Sequence, residues 1–320
     1  MRSGQMAARA SAPASVGNVG VGFDVLGLAF DAVRDTVVAT REPGSGVRLG
    51  RVTGLVDSLP AETRRNCALA AGQAVLDAAG ATFGVRLDID KGVPLSAGMG
   101  GSAASAVAAA GAVNALLEKP FSVPELLPMA MEGETVSADP PPWDNVMAAL
   151  LGGLVIAARL DPPLIRPLPL PEGVACVVFH PARKIETQTA RTLLSQDIAK
   201  DIAVEHSRNM AAFVAGCAAN DLDLVASGLR DIFIEPQRAP LLPELAPVKA
   251  AALKAGALGC SLSGSGPSVF AWARQADLAA VRAAMAAAFA AADCPATAYD
   301  APLASPGLRV ETRETVETRA

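Results

Sequence analysis

The sequence predicts two α+β domains, because strand-like and helix-like segments alternate in both halves of the chain. Its 320 residues are enough for two domains of ordinary size. The segment 161–171 (DPPLIRPLPLP) carries five prolines, which excludes a regular helix there. We therefore place the boundary at this segment, with one domain over residues 1–160 and the other over residues 161–320.

The elements of the first half follow from turn, cap and periodicity signals. An asparagine can cap a helix and a glycine can stop it, and strict alternation of apolar and polar residues is typical of a half-buried strand. The predicted elements are a hairpin of residues 34–42 and 47–53, a helix from the cap Asn66 to Gly80, a strand over 85–90, a helix over 101–117, and a helix that opens on the capping box Ser122–Glu125 and ends near residue 132.

The second half alternates in the same way. Glycine and proline clusters separate its apolar segments, so each segment is assigned by its length and period. The predicted elements are a strand over 174–179, helices over 187–197, 204–218 and 246–256, a glycine turn, a strand over 269–272, a helix over 277–292 and a last strand from Arg309.

Composition excludes several classes of protein. An apolar fraction of 51% excludes global disorder, and a net charge of −5 with 4% aromatic residues excludes a nucleic-acid or anionic-membrane surface. Five scattered cysteines and two histidines exclude a zinc site and indicate reduced thiols in the cytoplasm. The uncharged stretch 92–117 is long enough to span a bilayer, but its Pro94 and glycines favour a loop that leads into a buried helix.

Three common catalytic sites have no motif in this chain. The Walker-type phosphate loop, the dinucleotide-binding glycine fingerprint and the G-x-S-x-G nucleophile turn are all absent from the sequence. These three classes of site are therefore not supported by the sequence.

The segment 94–105 (PLSAGMGGSAAS) is the most informative stretch of the chain. It lies between a predicted strand and a predicted helix, where small residues let backbone amides approach an anion and the helix dipole attracts it. The loop has no lysine, so bound phosphates would need a metal ion for neutralisation. Ser102 and Ser105 could bind phosphate, ligate Mg²⁺ or cap the helix. Tight packing alone also explains the loop at this point.

Two further glycine clusters flank this loop in the chain. Residues 256–268 read as a turn between a helix and a strand. Residues 15–27 hold the polar side chains Asn18 and Asp24 in a glycine-rich bend. Each cluster alone is explained by a structural turn.

Together and in this order, the three clusters resemble the signature motifs of the GHMP kinase superfamily, and the segment 15–27 resembles the version found in its homoserine kinase branch. The resemblance covers residues 8 to 300. It implies a two-domain GHMP kinase fold, with an N-terminal ATP-binding α/β domain that carries the glycine-rich phosphate loop and a C-terminal ferredoxin-like α+β domain. It also implies transfer of the γ-phosphate of ATP to the hydroxyl of L-homoserine.

The resemblance implies residues that bind ATP and Mg²⁺. Ser102 and Glu134 match the magnesium ligands, and Glu134 lies ten residues before Asp144-Asn145, as in the family. The residues that match the ATP site are Asn66, Pro94, Leu95, Ser96, Ala97, Gly98, Met99, Gly100, Gly101, Ser102, Ala103, Ala104, Ser105 and Gly264.

The resemblance also implies an acceptor site. Asn18, Asp24 and Asn145 match residues that contact the acceptor, with Asp24 facing its hydroxyl. Arg191 and Arg238 match a clamp for its carboxylate, and an arginine fork suits that planar group. Thr187 matches a hydroxyl near the transferred phosphate, so Asp24, Asn145 and Thr187 are the candidate catalytic residues. Asn145 is a poor base, which direct in-line transfer through a loose transition state tolerates.

One departure from the family pattern leaves alternatives open. The family commonly has a histidine just before the Asp-Asn pair, where this chain has Pro140-Pro141-Pro142-Trp143. This departure permits a GHMP kinase with another alcohol acceptor. A catalytically silent ligand sensor on the same fold is a separate alternative, which predicts loss of Ser102, Glu134 or the loop glycines, and all of these are present. The resemblance further suggests a homodimer, which no motif here specifies.

Overall fold

The computed structural model describes residues 6–138 and 140–311. Its strands are, in chain order, β1 (Ala7–Gly17), β2 (Leu26–Glu42), β3 (Gly46–Gly54), β4 (Gly84–Lys91), β5 (Leu154–Leu160), β6 (Pro163–Leu168), β7 (Val174–Pro181), β8 (Ala257–Leu262), β9 (Val269–Arg274), β10 (Ala296–Pro302) and β11 (Arg309–Glu311).

The helices pack against the two sheets, and residues of both helices and strands form the apolar core. In chain order the helices are α1 (Cys67–Ala79), α2 (Gly101–Asn114), α3 (Leu127–Glu134), α4 (Trp143–Leu151), α5 (Thr187–Thr192), α6 (Lys200–Ala219), α7 (Leu222–Gly228), α8 (Glu235–Arg238), α9 (Leu245–Lys254) and α10 (Leu278–Ala291).

The strands form two sheets. The first has the order β11-β1-β2-β4-β3, and β5 extends it by pairing with the start of β2 and with β6. The second sheet is antiparallel in the order β10-β7-β9-β8, with helices between β7 and β8 and between β9 and β10. This arrangement is the ferredoxin-like β-α-β-β-α-β unit. Both halves are therefore α+β, which confirms the predicted fold class.

The buried core joins the two sheets. Alanines of α2 pack against β1 and β2, because small side chains let this helix lie close to the strands. A second cluster contains Val16 and Leu28 from the first sheet together with Val178 and Phe270 from the second. The end of β1 and the start of β2 consequently face residues of the second half of the chain.

The predicted hairpin of residues 34–42 and 47–53 is wrong. Both strands form and the chain reverses between them, but β4 lies between β2 and β3. Strand β4 alternates apolar Val85, Leu87 and Ile89 with polar residues. As an interior strand it buries this face and gains backbone hydrogen bonds along both edges, which a two-stranded hairpin cannot offer.

Two other predictions are corrected by local contacts. The helix over 187–197 ends at Thr192, because the backbone N–H of Ser195 donates to the side chain of Gln237 at 2.7 Å and leaves the helical path. The glycine turn over 256–268 contains strand β8 and is a loop only from Ser263. The helix capped by Asn66 is observed as α1, with Gly80 in left-handed conformation at its end.

Sheet membership differs from the sequence-based division at residues 160 and 161. Strand β6 and the C-terminal β11 both hydrogen-bond within the first sheet. The division itself stays a prediction. Among the described residues, no helix is both long and apolar enough to cross a membrane.

Candidate active site

A cleft of about 450 Å³ opens where the two sheets meet. Most of the predicted site residues line it, although they come from widely separated parts of the chain. These residues are Asn18, Asp24, Asn66, Leu95, Ser96, Ala97, Gly98, Gly100, Gly101, Ser102, Ser105, Glu134, Asn145, Thr187, Arg191, Arg238 and Gly264. The other predicted loop residues do not line the cleft: Met99, Ala103 and Ala104 are buried in the core, and Pro94 is half-buried.

The glycine-rich loop joins the end of β4 to the start of α2 and packs against the third glycine cluster. Gly98 has a φ of +71°, and a Cβ there would lie 2.6 Å from the carbonyl oxygen of Gly266. Ser263 holds the two loops together by donating its hydroxyl to the carbonyl of Gly98 at 2.7 Å. Glycine is therefore needed for both conformation and space. Gly101 and Ser102, the first two residues of α2, line the cleft, and the dipole of the helix favours an anion at this end.

A buried ion pair lies directly behind the loop. Asp35 and Lys91 form it, and they are 0% and 2% exposed. The Lys91 ammonium also donates to the carbonyl of Gly101 and to the hydroxyl of Ser105, both at 2.9 Å. Asp35 accepts the backbone N–H groups of Gly92 and Val93. The network fixes both ends of the loop. The Ser105 hydroxyl bonds to Lys91 and Asp35 within it, and a role of Ser105 in phosphate binding stays a prediction.

The Asp35–Lys91 pair is expected to determine much of the stability of the first domain. Replacing Asp35 with alanine leaves a buried ammonium without a partner, so the free energy of unfolding should fall by roughly 3–5 kcal/mol. Chemical denaturation measures this, with the exposed Glu118→Ala as the control, which should change it by less than about 0.5 kcal/mol. Equal effects of the two variants on the free energy of unfolding would show that the buried ion pair is not needed for stability.

Glu134 contacts the first turn of α2 through Ser102. It is 3% exposed, and its Oε1 accepts hydrogen bonds from Ser102 at 2.7 Å and from Ser137. Burial raises the pKa of Glu134 to about 7, against the opposing effect of the Ser137 and Ser102 hydrogen bonds. Its Oε2 is buried and has no hydrogen-bond partner.

These oxygens fit a magnesium ion. Carboxylate and hydroxyl oxygens are hard ligands, and the unpartnered Oε2 of Glu134 is a free lone-pair donor. The described residues hold no group of three or more His, Cys, Asp or Glu side chains able to bind a metal. Ser102 and Glu134 would thus supply few ligands, and phosphate oxygens and water would complete the octahedron, as Mg²⁺ usually requires.

Asn145 is held at the start of α4 by two neighbours. Its Nδ2 donates to Asp144 at 2.9 Å, and its Oδ1 accepts from the hydroxyl of Ser15 at 2.9 Å. Asp144 also accepts the backbone N–H of Asn18 at 2.8 Å. Burial, followed by the charge of Asp24, raises the pKa of Asp144 to about 6. These bonds connect Asn18 to the Asp144-Asn145 pair and fix the orientation of the Asn145 side-chain amide.

Two arginines and Asp24 line the cleft together. Arg191 donates to both carboxylate oxygens of Asp24, at 3.0 and 2.9 Å. Arg238 is 2% exposed and donates to the carbonyl of Gly264 at 3.0 Å. Burial lowers the pKa of Arg238, and the nearby charge of Arg191 lowers it further. In the described part of the chain Arg238 forms no ion pair with an acid.

Asn66, Thr187 and Gly264 also line the cleft. Asn66 caps α1 by accepting the N–H groups of Ala68 and Leu69, so its contact with adenine stays a prediction. The hydroxyl of Thr187 lies 3.4 Å from that of Ser265. The carbonyl of Gly264 accepts from Asn18 as well as from Arg238.

Sequence reasoning missed three residues that shape this site. They are Asp35, Lys91 and Asp144. A usable signal existed for Lys91, because it follows Val85, Leu87 and Ile89 in the buried register of β4. A charged residue in that register requires a buried partner. Asp35 lies in the corresponding register of β2 with Val37 and Ala39.

Comparison with known proteins agrees with the resemblance of the sequence motifs to the GHMP kinases. Residues 66–153 match the model of the GHMP kinases N terminal domain, and residues 211–291 match that of the GHMP kinases C terminal domain. The chain is 45% identical over 304 residues to a homoserine kinase of Xanthomonas campestris pv. campestris, covering 95% of this chain and 94% of that protein. It is 44% identical to a homoserine kinase of Xylella fastidiosa, with the same coverage.

A solved structure agrees with the fold. The crystal structure of homoserine kinase from Cytophaga hutchinsonii superposes with a TM-score of 0.92 at 37% identity, covering 97% of this chain and 99% of that one. The fold and the glycine-rich cleft are those of the GHMP kinases, which transfer a phosphoryl group from ATP to an alcohol. Within that class, the chain belongs to the homoserine kinase family.

Proposed function

We propose that this chain transfers the γ-phosphoryl group of ATP to the side-chain hydroxyl of L-homoserine, with Mg²⁺, and so forms O-phospho-L-homoserine in threonine biosynthesis. The observation that carries the acceptor class is Arg238. It is a buried guanidinium that forms no direct ion pair with an acid among the described residues, and burial and the charge of Arg191 act on it more strongly than the charges of Asp24, Asp231 and Asp144. A buried cation needs a counter-charge, and a planar carboxylate offers one that an arginine fork can bind.

The polar head of an amino acid fits the arginine end of the cleft. The α-carboxylate would bind Arg238 and Arg191. Asp24 contacts Arg191 directly, so its carboxylate is close enough to receive the α-ammonium, which lies one carbon from the carboxylate. The resemblance gives Asp24 the hydroxyl instead. If Asp24 binds the α-ammonium, it discriminates against an acceptor that lacks this group. If Asp24 contacts only the hydroxyl, it does not.

The phosphate end of the cleft would align ATP. The loop amides and the N-terminus of α2 would face the phosphates, and Ser102 and Glu134 would hold Mg²⁺, which neutralises phosphate charge when bound. The acceptor oxygen attacks the γ-phosphorus as the bond to the β-phosphate oxygen breaks, and ADP leaves with that electron pair. The hydroxyl proton passes to an oxygen of the transferred phosphate or to water. Asn145 and Thr187 would orient the reacting groups. No strong base is required, because the loose transition state leaves little charge on the attacking oxygen.

Turnover of a small panel of alcohols tests the proposal. ADP release is measured with Mg²⁺·ATP and L-homoserine, L-serine, 4-hydroxybutyrate, 3-aminopropan-1-ol, mevalonate and galactose. L-homoserine is expected to be preferred by at least about 100-fold in kcat/KM, because each analogue loses a charged contact or misplaces the hydroxyl. Preference for mevalonate, galactose or the carboxylate-free amine would overturn the proposed acceptor.

The proposal includes a cytoplasmic location, because ATP and free amino acids are cytoplasmic metabolites. A homodimer stays a prediction, and sedimentation of the full chain tests it.

A further inference from the structure

The aromatic ring of Phe23 lies against both arginines of the cleft. The guanidinium carbon of Arg238 is 5.2 Å from the ring centroid, and that of Arg191 is 5.8 Å from it. Phe23 lines the cleft and directly precedes Asp24, which is held in left-handed conformation with a φ of +55°. The ring is half-buried, and its simplest role would be that of an apolar wall of the cleft.

The two cations repel each other, and Asp24 pairs directly with Arg191 but not with Arg238. The Nε atoms of Arg191 and Arg238 are buried and have no hydrogen-bond acceptor. Asp24 binds the outer nitrogens of Arg191 only. The negative face of an aromatic ring attracts a guanidinium by about 0.5–2 kcal/mol, more strongly as water is excluded. Phe23 is the group that contacts both cations in this way among the described residues.

We propose that Phe23 is a positioning residue for acceptor recognition, whose ring face holds the two guanidiniums at the spacing needed to share one carboxylate. This inference rests on the proposed function, in which these arginines bind the carboxylate of the acceptor. It adds a requirement that a simple wall would not impose, because the electrostatics of the ring matter as well as its shape. Replacement of Phe23 by another aromatic residue should preserve the KM for L-homoserine, and replacement by an aliphatic residue should raise it.

Stepwise fluorination of the ring tests this requirement. Phe23 is replaced in the full-length enzyme by mono-, di- and trifluorophenylalanine, which keep the shape of the ring while weakening its negative face. The KM for L-homoserine is expected to rise at each step, to about 10- to 30-fold for the trifluorinated ring. The effect should fall on this KM rather than on kcat or on the KM for ATP. An unchanged KM across the series would show that Phe23 is only a steric wall.

Substitutions of Phe23 by standard amino acids provide the control for the shape of the side chain and for folding. Phe23→Tyr should keep the KM for L-homoserine within about threefold, whereas Phe23→Leu should raise it as the trifluorinated ring does. In an Arg238→Met background the fluorination series should have less effect, because one of the two cations is gone. An undiminished effect there would contradict a role through Arg238.

The same measurements separate this inference from the proposed function. If the unmodified enzyme uses another alcohol that carries a carboxylate, the series is run with that acceptor and the same trend is expected. If its acceptor carries no carboxylate, the proposed function and this inference are both overturned. Turnover of L-homoserine with a flat series would overturn this inference alone.

Discussion

Replacing Arg238 with methionine is expected to raise the KM for L-homoserine by 30-fold or more while the KM for ATP stays within about twofold. Methionine keeps much of the apolar stem but removes a buried charged donor, and loss of one such partner costs about 2–5 kcal/mol of binding free energy. Steady-state kinetics with each substrate varied in turn measure the two values.

The controls for Arg238 separate its charge from its shape. Arg238→Lys keeps the charge but cannot form two parallel bonds to a carboxylate, so an intermediate KM is expected. The exposed Arg230→Met removes a cation outside the cleft and should leave both KM values unchanged. If Arg238→Met raised the KM for 3-aminopropan-1-ol as much as that for L-homoserine, the carboxylate clamp would be wrong.

Replacing Glu134 with glutamine is expected to lower kcat by about 100-fold or more and to raise the Mg²⁺ concentration needed for half-maximal activity. The amide keeps the size of the side chain and its hydrogen bonds with Ser102 and Ser137, but removes the charge that would hold the metal. Losses of this size are typical when one preorganised electrostatic group is removed from a site.

Thermal stability gives a second readout for Glu134. The wild-type protein should gain stability from Mg²⁺·ADP, because a ligand that binds only the folded state raises its melting temperature. Glu134→Gln should lose most of this gain, whereas Glu132→Gln, on the exposed side of α3, should keep it. Equal Mg²⁺·ADP stabilisation of all three proteins would show that Glu134 does not hold the metal.

The sequence predicts the helical elements well where local signals are strong. Asn66 and Gly80 delimit α1 because cap chemistry is local. The pairing of β3 with β4 is not local: the turn at Pro43–Ser45 reverses the chain in either topology, and only the apolar face of β4 favours its interior position. The strand β8 was hidden within the glycine cluster for a similar reason, since its small residues are buried by contacts distant in sequence.

The candidate site shows the same limit. Motif residues were found because their order along the chain resembles a family, and the structure brings most of them to one cleft. The groups that hold them in place carry no motif. Asp35 and Lys91 are recognisable only by their place in the buried register of two strands. The contact of Arg191 with Asp24 joins positions 167 residues apart, which no spacing rule predicts.

The most direct test of the central claim is identification of the product formed from Mg²⁺·ATP and L-homoserine. Phosphorus NMR of the completed reaction is expected to show ADP and one new phosphomonoester whose phosphorus couples to the side-chain CH₂ protons of homoserine. Inorganic phosphate and ADP without that ester, or ATP left unchanged, would contradict the assignment of this cleft as a homoserine-phosphorylating site.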